Sequence, residues 1–375
     1  MADMQTYLLW RGDLPFSQVP PGPVDALIFT TLAYVRYGEG VPGDGSAPVS
    51  LKDAADWVLA APDRERRCRV RQDLEVLEAA AKSARFGGVE LCFYRSVFAP
   101  EEEAQFAAVT FLLGDGTAFL AFRGTDSTLV GWKEDFNMSF LERVPAQLLA
   151  AEYTRDVAQA LPMPLRLGGH SKGGNLAVYA AAKSAPEVRS RIREVYNNDG
   201  PGFMDAMMRD PGYLEMVPRV RTFVPQSSVI GMLLEHEEPY TIVRSSQMGI
   251  LQHDPHSWEI QGGDFVRMET LTANSRFLNR TLKDWLAGMT PEQRNTFFDS
   301  LFDVLAAGDA SRTREIMRPQ NLLAYFRALR GDENLRRILG TELSGLLQAA
   351  RNAQSPGEKE PGDARSSGGG TDGLS

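Results

Sequence analysis

Leu165-Arg-Leu-Gly-Gly-His-Ser-Lys-Gly-Gly-Asn-Leu-Ala-Val-Tyr-Ala-Ala-Ala-Lys183 is the stretch on which the fold class turns. A short apolar run precedes the glycines and an Ala-rich, helix-favouring run follows them, so the segment reads as strand, sharp turn, helix. Inside the turn, Gly169-His-Ser-Lys-Gly173 fits the pattern G-x-S-x-G. In that context the pattern predicts a nucleophile elbow, with Ser171 on a strained turn. Glycines two residues to either side let the strand and helix approach without Cβ clashes. A solvated serine on a glycine-rich turn is the plainer alternative; the flanking elements and a third glycine, Gly174, favour the elbow.

Working outward, helices alternate with strands on both sides of the elbow, which predicts an α/β chain with a mainly parallel, helix-covered sheet. Val89–Tyr94 reads as a half-buried strand. Phe106–Leu113 and Ala118–Phe122 read as a hairpin joined by Gly114-Asp-Gly116. A helix is expected over 146–160, and strands at Pro164–Leu167, Val195–Asn198, Val220–Val224 and Tyr240–Arg244. Upstream, Val24–Tyr34 has the spacing of an amphipathic helix, Ser50 suits a helix N-cap, and 63–85 is charged and helix-favouring. From Val266 onward helices alone are expected, including Thr281–Leu286, one opened by Thr290-Pro291, Pro319–Leu329 and Asn334–Ala350. The expected organisation is therefore a catalytic-type domain over 1–265, a helical region over 266–353 and a disordered tail over 354–375.

Composition bounds the function. The chain has 375 residues, a formal charge of −9 and no long Lys/Arg block, which argues against a nucleic-acid footprint. Cys68 and Cys92 cannot build a disulfide framework, the N-terminal stretch lacks the features of a signal peptide, and no apolar run is long enough to span a bilayer. A cytoplasmic protein is expected. Histidines and cysteines are not grouped at ligand spacing, and neither a phosphate loop nor a dinucleotide fingerprint is present, so no metal or cofactor is called for.

A serine needs a base within hydrogen-bond reach to become nucleophilic, and usually an acid to orient that base. There are four histidines. His170 lies within the elbow and is expected to point away from Ser171. His236, in Glu235-His-Glu-Glu238, reads as a solvated residue at a helix end. His253 and His256, in Gln252-His-Asp-Pro-His-Ser-Trp258, follow the last strand, and His253 is favoured because it emerges first after Ile250-Leu251. Asp199, between Ser171 and His253 in chain order, ends the strand after the elbow at Asp199-Gly-Pro-Gly202, a position facing the site in open α/β sheets. The end of the next strand, Pro225-Gln-Ser-Ser228, has no carboxylate. Either Asp199 orients the base, or the site is a Ser–His dyad. For the oxyanion, the backbone N–H groups of Lys172 and Thr125 are the expected donors. Trp132, Glu134 and Asp135 are expected to brace the Thr125 loop.

Phe122-Arg-Gly-Thr-Asp126, Gly131-Trp-Lys-Glu-Asp-Phe136 and Gly169-His-Ser-Lys-Gly-Gly-Asn175 together resemble the fungal-type (class 3) lipases. A closer resemblance, over about 5–265, is to the bacterial Mbeg-like proteins, a lipase-like branch of the α/β-hydrolases. Trp10-Arg-Gly-Asp13, Asp25, Gln105-Phe106, Asp199-Gly-Pro-Gly-Phe203 and Gln252-His-Asp-Pro255 carry it. The resemblance implies an α/β-hydrolase fold with Ser171 as nucleophile and His253 as base, and names no substrate. It does not transfer the acid, because the true lipases carry theirs after the strand that here ends at Ser228. Lys172, where lipases usually have an apolar residue, suggests a more polar site mouth.

Two functions are thus in play. One is hydrolysis of a small-molecule ester or related acyl substrate. The other is a non-catalytic hydrolase-fold protein that binds a ligand, or a protein partner through its C-terminal helices. A Ser171 hydroxyl out of hydrogen-bond reach of any imidazole would favour the second.

Overall fold

The computed structural model describes residues 2–99, 101, 104–126, 133, 137–138, 143–306, 325, 329–330 and 332–354. Strands β1 (Val49–Ser50), β2 (Glu90–Ala99), β3 (Ala104–Leu112) and β4 (Ala118–Phe122) lead into β5 (Leu165–His170), β6 (Ile192–Asn198), β7 (Val220–Pro225) and β8 (Tyr240–Val243). The short pieces β9 (Ile260–Gln261), β10 (Asp264–Phe265) and β11 (Arg267–Met268) follow. The main sheet has the order β1-β2-β3-β4-β5-β6-β7-β8-β11. Pairing is antiparallel from β1 to β4, parallel from β4 through β8, and antiparallel again at β11. The expected β3–β4 hairpin is present and closes through Leu113 N–H to Thr117 O at 2.8 Å.

Two apolar layers sandwich this sheet. Helices α1 (Met4–Arg11), α2 (Pro23–Leu32), α3 (Leu51–Ala60) and α4 (Arg71–Lys82) pack on one face, against Phe111, Phe119, Ala121 and Phe223. Helices α5 (Pro145–Ala160) and α6 (Lys172–Lys183) cover the other, against Phe106, Leu120, Phe122, Leu167 and Val195. Strand β4 is buried at every residue, feeding alternate side chains to the two layers, as a central strand of a two-sided sheet must. The α/β class read from the alternation is therefore present, as is the helical C-terminal extension.

Several details differ from the sequence reading. Helix α2 is not amphipathic: every residue from Val24 to Leu32 is buried, because it lies over the sheet and under α4. Its buried Asp25 is held by Arg85 through two 2.7 Å bonds and by Tyr7 Oη at 2.9 Å. The charged 63–85 segment makes a short 3-10 turn at Arg64–Arg66 and becomes α-helical only at Arg71, where Asp73 caps the start. The half-buried alternation at Val89–Tyr94 fails, since Leu91, Cys92 and Phe93 are all buried around a bulge between Cys92 and Arg95. The helix-only region begins at α7 (Ala273–Ala287) rather than at Val266, because β11 still belongs to the main sheet. Beyond it lie α8 (Pro291–Ala306) and α9 (Glu333–Gln354). Thr290 caps the start of α8 as expected, accepting from Gln293 N–H at 3.2 Å, and Gln293 Oε1 in turn accepts from Thr290 N–H at 2.8 Å. Most of the expected Pro319–Leu329 helix and nearly all of the expected tail lie outside the described residues, as do Trp132, Glu134 and Asp135.

Candidate active site

At the carboxyl ends of β5 and β6, two non-glycine residues, Ser171 and Asp199, have positive φ, 58° and 54°. A non-glycine residue stays in that region only when its surroundings enforce it. For Ser171 they do. Its N–H donates to Asn198 O at 2.9 Å, and its carbonyl accepts from Gly174 N–H at 2.9 Å as α6 begins. A Cβ at Gly169 would lie 2.0 Å from the Gly173 backbone, and one at Gly173 would lie 2.2 Å from Phe122 O. The two flanking glycines are thus demanded by backbone contact, as the elbow pattern requires.

The turn after β4 leans on the same elbow. Gly124 sits so near it that a Cβ there would meet His170 O at 2.4 Å and Ser171 Cβ at 3.2 Å. Thr125 follows immediately. The backbone N–H of Lys172 opens α6, where the helix dipole presents its positive end. The Lys172 side chain does not reach the mouth of the site. It is 1% exposed, and its Nζ donates to Gln105 O at 3.0 Å, so the more polar mouth expected from this lysine is not found. The same Gln105 accepts from Asp126 N–H through its Oε1 at 3.2 Å, which ties β3 to the turn after β4.

Asp199 is fully buried. One oxygen, Oδ1, accepts from Ser228 Oγ at 2.5 Å and from Gly231 N–H at 3.2 Å. The other, Oδ2, lies 2.6 Å from His253 Nδ1. A carboxylate can only accept, so this bond assigns the Nδ1 proton to His253 and leaves Nε2 with the free lone pair when the ring is neutral. Among the described residues, no hydrogen bond joins the Ser171 hydroxyl to an imidazole, and His253 Nε2 has no partner. Ser171 is 9% exposed, and the His253 side chain 26%.

The other three histidines have structural partners. His170 is buried and lies beside the His253 ring, with centroids 4.6 Å apart. Its Nε2 donates to His253 O at 2.7 Å, and its Nδ1 accepts from Tyr34 Oη at 2.9 Å. Burial, and next the proximity of His253, hold the His170 imidazole well below its ordinary value, so it is neutral. His236 is neither at a helix end nor solvated. It bonds Gly231 O at 2.9 Å and Glu238 Oε1 at 3.2 Å, and so props the backbone that donates to Asp199. Burial pushes the Glu238 carboxyl up, but the bond and charge of His236, together with the Tyr213 hydroxyl, bring it down to about 2. His256 bonds Asp73 Oδ1 at 2.8 Å.

Sequence reasoning thus picked out the pair that meets, Asp199 and His253, but missed Ser228, Tyr34 and Asp73. Ser228 could have been suspected, since it stands where the lipase resemblance calls for a carboxylate. Nothing local marks Tyr34 or Asp73. No group of His, Cys, Asp or Glu suited to a metal ion occurs among the described residues.

The sequence profile of the Mbeg1-like family matches residues 80–303, more than half of the chain. The chain belongs to the Mbeg1-like family. The mixed sheet with helices on both faces, and the strand–turn–helix at Ser171, make this an α/β fold. Among solved structures, the chain is similar to a Rhizomucor miehei lipase–propeptide complex, at 16% identity and a TM-score of 0.32. That match covers 46% of this chain and 59% of the lipase chain, so this chain spans somewhat over half of that relative. A mutant form of MDLA from Penicillium cyclopium is similar at 14% identity and a TM-score of 0.36, over 65% of this chain and 85% of the other. No curated protein matches the sequence.

Proposed function

We propose that this Mbeg1-like protein is a serine hydrolase that cleaves a carboxylic ester or related acyl substrate through an acyl-enzyme on Ser171. The observation that carries the reading is the 2.6 Å contact between His253 Nδ1 and Asp199 Oδ2, which reserves Nε2 for proton transfer on the side away from the acid. In the first half-reaction the Ser171 oxygen bonds the acyl carbon while its proton passes to His253 Nε2. The N–H groups of Lys172 and Thr125 receive the oxyanion. Collapse expels the alcohol, which takes the proton from Nε2; water then repeats the sequence and releases the acid. Asp199 orients the ring and offsets the imidazolium charge in both halves.

A fluorophosphonate probe should label Ser171 in the folded protein and leave Ser171→Ala silent. A panel of p-nitrophenyl esters of graded chain length then reads the acyl preference, with Ser171→Ala as the blank. Well-folded protein that resists the probe would falsify the hydrolase reading.

The Ser171 hydroxyl makes no bond to an imidazole among the described residues, and this favours a second reading, a hydrolase fold that binds a ligand without turning it over. The hydrolase reading remains the better supported, because serine–base bonds in ligand-free sites are often long and tighten only with substrate. The second reading requires Ser171→Ala to keep the biological phenotype while removal of the C-terminal helices abolishes it. We further assign the lipase-like unit to residues 1–268, which include the last strand of the main sheet, and a helical unit, a surface for a protein partner, to the helices that begin at Ala273. The two free cysteines suit a cytoplasmic setting, and no described helix is long and apolar enough to cross a membrane.

A further inference from the structure

We propose that His256, held by Asp73, is a positioning residue that fixes where the base His253 stands; this rests on the hydrolase reading above. The segment carrying the base is two short 3-10 turns, Gly249–His253 and Pro255–Ser257, and a loop of that kind does not hold an imidazole in place by itself. It is held from α4, far away in sequence. His256 Nε2 donates to Asp73 Oδ1 at 2.8 Å, and Arg69 reaches Asp254 Oδ1 at 3.3 Å.

Asp73 is a fixed point. It is fully buried, and its Oδ2 is occupied by the N–H groups of Arg69 and Val70, at 3.1 and 3.0 Å, at the start of α4. Its Oδ1 takes the His256 bond, with the Arg69 guanidinium 3.6 Å away on the same oxygen. A second route starts at the same place. The Arg69 guanidinium lies 4.8 Å over the Tyr34 ring, the Tyr34 hydroxyl donates to His170, and His170 Nε2–H holds the His253 carbonyl. The two routes reach the base loop on either side of Asp254, one at the His253 backbone and one at His256. The α4 start therefore sets the base against the elbow with three restraints, at the His253 carbonyl, at Asp254 and at His256.

Further anchors keep the loop attached when one restraint is lost. Gln252 Oε1 accepts from Ser227 N–H at 2.8 Å, and Trp258 Nε1 donates to Gln252 O at 2.9 Å. Cutting the His256–Asp73 bond should thus shift His253 without unfolding the segment, and misplacing a reacting group by about 1 Å can cost roughly a hundredfold in rate.

The test compares His256→Phe, His256→Gln and Asp73→Asn. Glutamine offers an amide N–H near the place of imidazole Nε2–H. Asparagine at 73 must keep its oxygen toward the two backbone N–H groups, so its NH₂ faces the His256 donor. With p-nitrophenyl butyrate, His256→Phe and Asp73→Asn should lower kcat about 10- to 100-fold with KM within about twofold, and His256→Gln should recover to within about threefold of the parent. The second readout needs no turnover. Two-bond ¹⁵N–¹H correlation of the four histidine rings reports the tautomer of His253, which should be fixed with Nδ1–H in the parent and in His256→Gln and become averaged in His256→Phe. An unchanged His253 ring signal in His256→Phe overturns the proposal. So does an equal loss of kcat in His256→Gln and His256→Phe. If the parent hydrolyses no ester, the hydrolase reading fails while the ring signal still decides the positioning.

Discussion

Ser228 Oγ donates to Asp199 Oδ1 at 2.5 Å, joining the ends of β7 and β6 beneath the base. The lipase resemblance calls for an acid at the end of β7. Here a serine stands there and donates to a carboxylate one strand over, and that carboxylate meets His253 Nδ1.

Replacing Asp199 by Asn should be the most damaging change short of removing Ser171. An amide beside Nδ1 can present N–H where the ring also carries its proton, which favours the wrong tautomer. A fall in kcat of about 10³–10⁴ is expected, with the fold retained. Steady-state kinetics alongside circular dichroism would check it, and a variant within about tenfold of the parent would mean that Asp199 does not orient the base.

Ser228→Ala removes a single donor to the same carboxylate while Gly231 N–H remains. The loss of one buried hydrogen bond to a charged group is worth about 1.5–3 kcal/mol. Read as transition-state stabilisation, this corresponds to a reduction of roughly 10- to 100-fold in kcat, clearly smaller than that of Asp199→Asn. Double-mutant analysis should show the two effects to be far from additive, since both act through the one Asp199 carboxylate.

Arg85 and Asp25 form a doubly hydrogen-bonded ion pair in which both side chains are 1% exposed. Arg85 also donates to Leu14 O and Val19 O, at 2.7 and 3.1 Å, and so ties the N-terminal helices together. Arg85→Met leaves the aspartate buried without its cation, and a loss of about 3–5 kcal/mol is expected from urea unfolding. Because none of the hydrogen bonds of the pair goes to Ser171, Asp199 or His253, the kinetics of the protein that stays folded should be little changed.

Stability should begin to fall as the pH drops below about 6.5. His170 is neutral in the fold, with its protonation held well below the ordinary 6.5 by burial first and by His253 next. The unfolded chain takes up a proton there and the folded chain does not. The stabilisation is therefore complete above 6.5 and lost on acidification, with a slope of up to about 1.4 kcal/mol per pH unit for this one group. In His170→Gln, whose amide can still donate toward His253 O, the slope between pH 6.5 and 5 should be reduced by one proton. Chemical denaturation at several pH values measures it directly.

Much of this protein was determined locally. The elbow was legible because its demands fall within five residues: a turn that needs glycine where backbone meets backbone, between an apolar strand and an Ala-rich helix. The β3–β4 hairpin and the α8 cap were legible for the same reason. Chain order also brought out Asp199 and His253, since the carboxyl ends of neighbouring strands share one edge of the sheet. What only the tertiary structure decided is which groups support them. Ser228 meets Asp199 across 29 positions, Tyr34 meets His170 across 136, and Asp73 meets His256 across 183. Lys172 was read as making the site mouth polar and His236 as solvated, because charge and polarity were all that the sequence offered; folding set both against partners. A buried polar group is stable only when paired, and its partner is chosen by how the layers pack, not by its neighbours along the chain.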